Sequence, residues 1–374
     1  MTQQVHLEDV SLAGSRGQTG AWPHPLHVDD HHGNLGEVRQ THELAHDRVR
    51  RPGLFRRDPR RHHRRPAHGP STGLPTRTNQ GDVAKLHLLG HGDCRHIVLI
   101  PGSVEECYEM TIEALDLAQK FQTPVFMATD LDLGMNLWLS SPFVYPAKRL
   151  ERGKVLTAAD LERLGHFERY KDLDGDGVCY RTIPGTANPL AAYFTRGTGH
   201  NEKSGYSERP EDWKKNLDRL ALKLETARKT VPRPVFEGDI SARVGLIAYG
   251  GTHHAVTEAR DQLGEQGIAT EYCRLRALPV PDEVISFVDR HQRVYVIEQN
   301  RDAQITTLMR SSMRGSLADR LVPVTHYNGM PIAAENIVRP ILSWEKHPSG
   351  PGWPTGNVER DNPAVPHDEQ PSAE

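Results

Sequence analysis

Cysteine is scarce in this chain, and its four residues form no closely spaced pair: Cys94, Cys107, Cys179 and Cys273. Without a C-x-x-C pair the sequence indicates neither an iron–sulfur cluster nor a structural zinc site. Four scattered cysteines are also too few for a disulfide framework. The pattern therefore favours a protein of the reducing cytoplasm.

Long hydrophobic runs are also missing. Apolar residues make up 36% of the chain, below the roughly 45–50% of ordinary globular proteins. No run approaches the roughly 20 apolar residues of a membrane span, and the N-terminus lacks a signal-peptide pattern. The net charge of −3 gives no global reason to expect a nucleic-acid partner.

Lysine is absent from the front of the chain. Residues 1–68 contain eleven Arg, ten His and no Lys. The cluster at 50–65 has the charge of a nucleic-acid patch, but only Phe55 interleaves it and no helical pattern flanks it. A disordered basic segment is the simpler interpretation, and a reading-frame error is considered below.

The first clear structural pattern is strand, helix, strand. An apolar run at 96–100 predicts a buried strand, and Ser103 with Glu106 predicts a capping box. Apolar residues then recur at helical spacing up to Phe121, and Val125–Ala128 predicts the next strand. A connection of this length predicts a parallel pair. The predicted helix face consists of Cys107, Met110, Ala114, Leu117, Ala118 and Phe121.

Residues 130–210 are predicted to be largely irregular, since they are polar and rich in Gly and Pro. The stretch at 172–177 begins like a calcium loop, but position twelve, which needs a bidentate Glu, is Ile183. We therefore favour an Asp/Gly turn over a calcium site. Nearby His200 and Glu202 are compatible with a metal site, although a surface loop is the default.

A helix is predicted over 211–229, with Trp213, Leu217, Leu220 and Leu224 on its apolar side. From about residue 240, strands and helices alternate, which predicts an open parallel sheet. Gly250-Gly251-Thr252 lacks the spacing of a dinucleotide fingerprint. It predicts a strand-to-helix turn with Thr252 as cap, although the helix N-terminus could also hold an anion.

Several separate motifs resemble one family. Residues 69–80 read Gly-Pro-Ser-Thr-Gly-Leu-Pro-Thr-Arg-Thr-Asn-Gln, which resembles the substrate-loop motif of the α subunit of 2-oxoacid:acceptor (ferredoxin) oxidoreductases. Five further stretches resemble later landmarks of that subunit in the same order: Gly90–Asp93, Asp130–Asn136, Ala192–His200, Ile247–Gly250 and Val296–Arg301. The resemblance extends over about residues 69–345.

The resemblance implies an α/β fold. Residues 69–145 would be the back half of a thiamine-diphosphate pyrimidine-binding domain, and 146–236 an irregular insertion with a helical linker. Residues 237–345 would form a parallel α/β domain like the C-terminal domain of transketolase. Residues 1–68, before this part, would be out of frame or disordered. Residues 346–374, after it, would be a disordered tail.

The family's activity is the oxidative decarboxylation of a 2-oxoacid to an acyl-CoA, with electrons passed to ferredoxin. The resemblance implies thiamine diphosphate and Mg²⁺, held largely by a β subunit, and CoA as co-substrate. It places the iron–sulfur cluster in the partner. The implied partners are the β subunit, ferredoxin and a small 2-oxoacid such as 2-oxoglutarate or pyruvate, with neither nucleic acid nor membrane.

The substrate loop contains the candidate site residues. By resemblance Thr76 contacts the substrate, and we add Ser71 and Thr72, because hydroxyl and backbone N–H groups can hold a 2-oxoacid carboxylate. The family carries an Arg two residues before the first Gly of the motif, where it can clamp the carboxylate. This chain has Ala67 at that place.

A reading-frame error explains the missing Arg. If the Arg codons are CGN, reading residues 56–68 one nucleotide later permits Ala-Glu-Ile-Pro-Ala-Val-Ile-(Ile/Thr)-Asp-Val-Gln-Arg. That string resembles the family's sequence before the motif and restores Arg at position 67. We therefore favour an out-of-frame origin for much of 1–68 over a genuine basic tail.

The chain as written is expected to be inactive by itself. It shows no match to the family's Tyr-Pro-Ile-Thr-Pro segment or to its cofactor-activating Glu. Two other hypotheses stay open. One is a non-catalytic remnant that keeps only the β-binding surface, and the other is an unrelated α/β module that binds a nucleotide at Gly250–Thr252.

Overall fold

The computed structural model describes residues 77–90, 92–147, 149–195 and 197–346. The predictions for 1–68, for the substrate-loop residues Ser71, Thr72 and Thr76, and for the tail beyond 346 therefore lie outside the described residues. The described chain is α/β, as the sequence predicts, and contains a three-stranded and a five-stranded sheet.

The smaller sheet has the order β2-β1-β6. Strands β1 and β2 are parallel, which confirms the predicted strand–helix–strand unit. The third strand, β6, comes from a later part of the chain and pairs antiparallel with β1. The elements of this sheet and its helices are α1 (Val83–His87), β1 (Ile97–Leu99), α2 (Val104–Phe121), β2 (Val125–Met127) and β6 (Ala277–Leu278).

Helix α2 buries all six apolar residues of its predicted face. Ser103 is its N-cap and accepts a hydrogen bond from the Glu106 N–H at 3.2 Å. The reciprocal half of the predicted capping box is wrong. The Glu106 carboxylate accepts instead from the Gly102 N–H at 2.7 Å and from the guanidinium of Arg274. A charged partner from the second sheet has outcompeted the local cap.

The middle of the chain is mostly irregular, as predicted. It contains α3 (Leu131–Met135), α4 (Ala158–Leu164) and α5 (Pro210–Arg228). The predicted apolar side of α5 needs correction, because Trp213 is 56% exposed. The helix buries Asn216 and Ala227 most fully, since the Asn216 side chain donates a hydrogen bond to the His200 carbonyl at 2.7 Å.

The larger sheet has the order β3-β5-β4-β7-β8. Four strands are parallel, as predicted, but the edge strand β3 is antiparallel to β5. Its strands are β3 (Val235–Gly238), β4 (Val244–Ala248), β5 (Thr270–Arg274), β7 (Arg293–Glu298) and β8 (Leu321–Thr325). The alternating helices are α6 (His253–Glu265), α7 (Asp282–Arg290), α8 (Gln304–Ser312) and α9 (Ala334–Lys346).

Both faces of the larger sheet are covered. Helices α6 and α9 pack on one face, around Val256 and Ile337. Helices α7 and α8 pack on the other, and their core continues into the smaller sheet through Val98 and Phe126. The two sheets therefore share one hydrophobic core. Among the described residues no helix is long and apolar enough to cross a bilayer.

Acid should destabilise this shared core through His87 in α1. Burial lowers the pKa of His87 to about 4, and its Nδ1 lies 2.8 Å from the His96 carbonyl oxygen. In the unfolded chain, the His87 imidazole takes up a proton as the pH falls below its ordinary pKa of 6.5. In the native state it takes up this proton only near pH 4. Stability should therefore fall over that window, by an amount on the order of 3 kcal/mol.

The measurement is urea unfolding at pH 7 and at pH 4.5 for the wild type and for His87→Gln. The variant should lose less stability between the two pH values than the wild type. His166→Gln, at an exposed position, should keep the wild-type pH dependence. Parallel curves for wild type and His87→Gln would contradict the assignment.

Candidate functional site at the junction of the two sheets

The carboxyl edges of the two sheets face each other. Asp130, three residues beyond β2, accepts a hydrogen bond at 2.7 Å from the N–H of Gly251, three residues beyond β4. On the same edge, the Arg274 guanidinium at the end of β5 makes a bidentate ion pair with Glu106. The loops that follow parallel strands are where α/β proteins place binding residues.

The larger sheet has its topological switch point between β4 and β7. From β4 the chain first forms β5 on one side and later forms β7 on the other. The helices that follow β4 and β7 also lie on opposite faces. A crevice between the two strand ends results, and in open α/β sheets this crevice is the usual ligand site.

In this protein the crevice contains the side chain of Gln80, the last residue of the substrate-loop motif. Its Nε2 lies 3.0 Å from Asp130 Oδ2 and 3.2 Å from the Tyr249 carbonyl oxygen. Its Oε1 accepts from the Gln299 N–H at 3.1 Å, and its own N–H donates to the Gln299 carbonyl at 2.8 Å. Gln80 is only 6% exposed, so an internal side chain fills the position of a ligand.

Thr252 takes part in the same network. It was predicted to cap α6, but its side chain makes no cap hydrogen bond. Its Oγ1 accepts from Gln80 Nε2 and from Gln299 Nε2, each at 3.1 Å. Thr252 is fully buried, and its hydroxyl joins the side chains of Gln80 and Gln299 instead of capping the helix.

The glycine turn before α6 holds an anion that belongs to the chain itself. Gly250 has a φ of +57°, and a Cβ on Gly251 would lie 2.7 and 2.9 Å from the two Asp130 carboxylate oxygens. Glycine is therefore required for the close approach of that carboxylate. The turn is confirmed, and the anion position beside it is occupied by Asp130, which argues against the nucleotide-module hypothesis.

A second carboxylate, that of Glu298, lies fully buried at the end of β7. It accepts from the backbone N–H groups of Ile305 and Thr306 at 2.8 and 2.9 Å, at the N-terminus of α8. The helix dipole favours a negative charge there. Tyr249 and Asn300 also donate to it, at 3.1 and 3.0 Å. Burial, followed by the charge of Glu298, raises the pKa of Tyr249 and keeps the phenol a donor.

Four of the family landmarks meet in this network, at Gln80, Asp130, Tyr249 and Glu298. The described residues of the landmarks Gly90–Asp93 and Ala192–His200 take no part in it. The candidate substrate residues Ser71, Thr72 and Thr76, like Ala67, lie outside the described residues. The motifs contain the residues of the network, but the sequence does not show that these residues bond to one another. The fold does. One signal in the sequence could have pointed to the network. Three polar residues, Glu298, Gln299 and Asn300, stand at the end of a buried apolar strand.

The network orients groups and does not itself supply a reactive one. Nearly all its donors and acceptors satisfy one another. Of the buried side-chain atoms in and beside the network, Thr78 Oγ1 and Gln299 Oε1 have no hydrogen-bond partner among the described residues. Both belong to the segments that contact each other around Gln80. The arrangement can therefore hold the end of the substrate-loop motif in a fixed position on the larger sheet.

The calcium-like stretch forms a turn. The Asp172 carboxylate accepts from the backbone N–H groups of Gly175 and Gly177 at 2.9 and 2.8 Å. The Lys154 ammonium lies 2.6 and 2.8 Å from the carboxylates of Asp174 and Asp176. In the part of the chain that the structure describes, no three His, Cys, Asp or Glu side chains are grouped to hold a metal ion.

Comparison with known proteins agrees with the sequence motifs. The family model "Pyruvate flavodoxin/ferredoxin oxidoreductase, thiamine diP-bdg" matches residues 65–136. The α subunit of 2-oxoacid:ferredoxin oxidoreductase 2 of Aeropyrum pernix is 30% identical over 250 residues, covering 65% of this chain and 38% of that protein. The 2-oxoglutarate synthase subunit KorA of Methanocaldococcus jannaschii is 28% identical over 237 residues, covering 62% and 60%.

A solved structure shows the same fold. The 2-oxoglutarate:ferredoxin oxidoreductase of Magnetococcus marinus, with 2-oxoglutarate, coenzyme A and succinyl-CoA bound, matches with a TM-score of 0.64 and 27% identity. The match covers 74% of this chain and 46% of that one. In sequence and in fold the chain is therefore similar to the α subunits of 2-oxoacid:ferredoxin oxidoreductases. It spans between 38 and 60% of the length of these relatives.

Removing the Gln80 side chain should destabilise the junction. Gln80→Ala removes the hydrogen-bond partner of the Gln299 N–H and one of the partners of the Asp130 carboxylate, both in a buried site. The free energy of unfolding should fall by about 1–3 kcal/mol. Chemical denaturation measures the loss. Gln266→Ala, at an exposed position of the larger domain, should stay within about 0.5 kcal/mol of wild type. Equal stabilities for Gln80→Ala and wild type would show that the crevice needs no occupant.

The Gly251–Asp130 contact predicts a coupled pair. Gly251→Ala should destabilise strongly, since its methyl group would collide with the carboxylate. Asp130→Ala should destabilise as well, but the double variant should lose less than the sum of the two, because the alanine methyl then has room. A double-mutant cycle in urea measures this coupling. Strict additivity would mean that the two residues do not share the contact.

Proposed function

We propose that this chain is part of the α subunit of a 2-oxoacid:ferredoxin oxidoreductase. The enzyme would decarboxylate a 2-oxoacid on thiamine diphosphate, transfer the acyl group to CoA and pass two electrons to ferredoxin. The observation that carries the proposal is the junction network. Motifs separated by up to about 220 residues, from Gln80 to Asn300, are in direct hydrogen-bond contact. A chance resemblance of short strings gives no reason for such convergence.

The substrate would be held by residues near this network. We assign the carboxylate of the 2-oxoacid to the hydroxyl and backbone N–H groups of Ser71, Thr72 and Thr76. The network supports this assignment because it fixes the end of the motif, residues 78–80, and the following Gly81 against the larger sheet and its loops. Gln80 would then be a positioning residue, four positions beyond the substrate contact.

In the assembled enzyme, thiamine diphosphate would be held mainly by the β subunit. The described residues do not fit the diphosphate end, because Asp130 already occupies the anion position beside Gly250 and Gly251. They also offer no grouped metal ligands. We therefore assign Mg²⁺ and the diphosphate to the β subunit and the iron–sulfur cluster to the same partner. Thiamine diphosphate would supply a stabilised carbanion for decarboxylation.

An exposed apolar segment supports the proposed partner subunit. Residues 135–145 form no strand and only the end of α3, and their side chains project into solvent. Trp138 stacks on His254 with ring centres 4.7 Å apart, and Tyr108 donates to the Val144 carbonyl at 2.9 Å. Exposed apolar surface of this kind usually marks an interface. The most exposed side chains are Met135, Leu137, Leu139, Val144 and Tyr145.

The front of the chain would be restored by correcting the reading frame. The family model begins to match at residue 65, close to the motif, and leaves residues 1–64 unmatched, which is in keeping with an out-of-frame origin for much of 1–68. The missing Arg at Ala67 would then be a fault of the reading frame. We place the intact enzyme in the cytoplasm, in keeping with the free cysteines among the described residues.

The deciding experiment compares the printed chain with a frame-corrected chain, each co-expressed with the β subunit. The readout is reduction of ferredoxin that depends on both CoA and a 2-oxoacid, tested with 2-oxoglutarate, pyruvate and a branched 2-oxoacid. We expect both chains to bind β, and only the corrected chain to turn over. The Arg that can clamp the substrate carboxylate is present only in that version.

The other outcomes are also decisive. Turnover by the printed chain would disprove the frame error. Binding of β without turnover by the corrected chain, on any of the three substrates, would favour the non-catalytic remnant. Failure of both chains to bind β would contradict the α-subunit proposal itself.

A further inference from the structure

A small cavity of about 30 Å³ lies away from the junction network, between the end of α2, the loop 169–179 and α5. It is larger than the roughly 10–15 Å³ that one water molecule requires. Three of its nine lining residues are cationic: Arg169, Arg219 and Lys223. The other lining residues are uncharged at neutral pH, so no acidic side chain is part of the wall.

Among the described residues, the hydrogen bonds that the two α5 cations of this wall donate go to neutral carbonyl oxygens. Arg219 donates one guanidinium N–H to the Gly177 carbonyl at 3.2 Å, and its Nε is buried without a hydrogen-bond acceptor. Lys223 Nζ lies 3.5 Å from the Gln122 carbonyl, at the C-terminus of α2. The helix dipole supplies about half a negative charge at that end, which is too little to balance two cations.

The nearby titratable groups do not supply the missing charge. Burial raises the pKa of the Cys179 and Cys94 thiols, so both stay protonated. The Asp172 carboxylate is engaged by backbone N–H groups of its own turn. Burial, followed by the charge of Arg219, lowers the pKa of Lys223 to about 7. A bound anion would reverse this destabilisation of the ammonium form.

We propose that this cavity binds one monovalent inorganic anion of about the size of chloride, held by the Lys223 ammonium and the Arg219 Nε–H. The volume suits a single small ion better than a tetrahedral oxyanion. The ion would join α5 and its loop to the end of α2 and thereby stabilise the insertion against the smaller sheet. The proposal is independent of the proposed enzyme activity.

The test is thermal unfolding of the full chain near pH 7, with sodium chloride replacing sodium gluconate at constant ionic strength. The wild type should show a saturable rise in Tm on the order of 5 °C. The rise should shrink at pH values well above the pKa of Lys223, where the ammonium is lost in the absence of anion. A flat response would overturn the proposal and leave a water molecule as the occupant.

Variants separate the site from general salt effects. Lys223→Met should abolish the chloride-dependent shift without lowering Tm in gluconate, because it removes a partly buried and poorly compensated charge. Arg219→Gln should weaken the shift by removing the second donor. Lys214→Met, at an exposed lysine of the same helix, should keep the full shift. Equal chloride responses in all four proteins, or a bromide-soaked crystal without anomalous density in the cavity, would refute the assignment.

Discussion

The contact of the Asp130 carboxylate with the Gly250–Gly251 turn is the constraint on which the junction depends. It brings the loop after β2 within 2.7 Å of the loop after β4, and it leaves no room for a side chain on either glycine. A buried carboxylate without donors would be strongly unfavourable. The two sheets therefore have one relative position that satisfies this charge, and Gln80 completes it by donating to the same oxygen.

Apolar packing and the polar network have different roles at this junction. The hydrophobic core is continuous from Val98 and Phe126 to Ile247 and Phe287, and it supplies most of the association energy. Burial of apolar area is not directional, however, so it tolerates small rotations. The hydrogen bonds of Gln80, Asp130 and Glu298 are directional and mutually dependent. They select one orientation among the many that would bury similar area.

The elements with strong periodicity could be predicted from sequence. Helix α2 was predicted by its six apolar positions, and the parallel strands by short apolar runs between turns. The edge strand β3 and the two-residue β6 were missed, because both are specified by their pairing partners. Trp213 was misplaced because a long helix over a polar loop presents apolar residues to both sides. Local capping rules failed at Glu106 and Thr252, because each side chain bonds to a group that is distant in sequence. Glu106 pairs with the Arg274 guanidinium, and Thr252 accepts a hydrogen bond from the Gln80 amide.

The candidate site was predictable as motifs but not as an assembly. The strings around Gln80, Asp130, Tyr249 and Glu298 were visible in the sequence, yet nothing in their local composition shows that they meet. Their meeting also changes what the larger sheet can do. The crevice at the switch point is where a free ligand would bind, and Gln80 and Asp130 occupy it from within the chain. The larger sheet therefore acts as a support for the end of the motif, residues 78–80, because the crevice that a free ligand would enter is already filled by side chains of the chain itself.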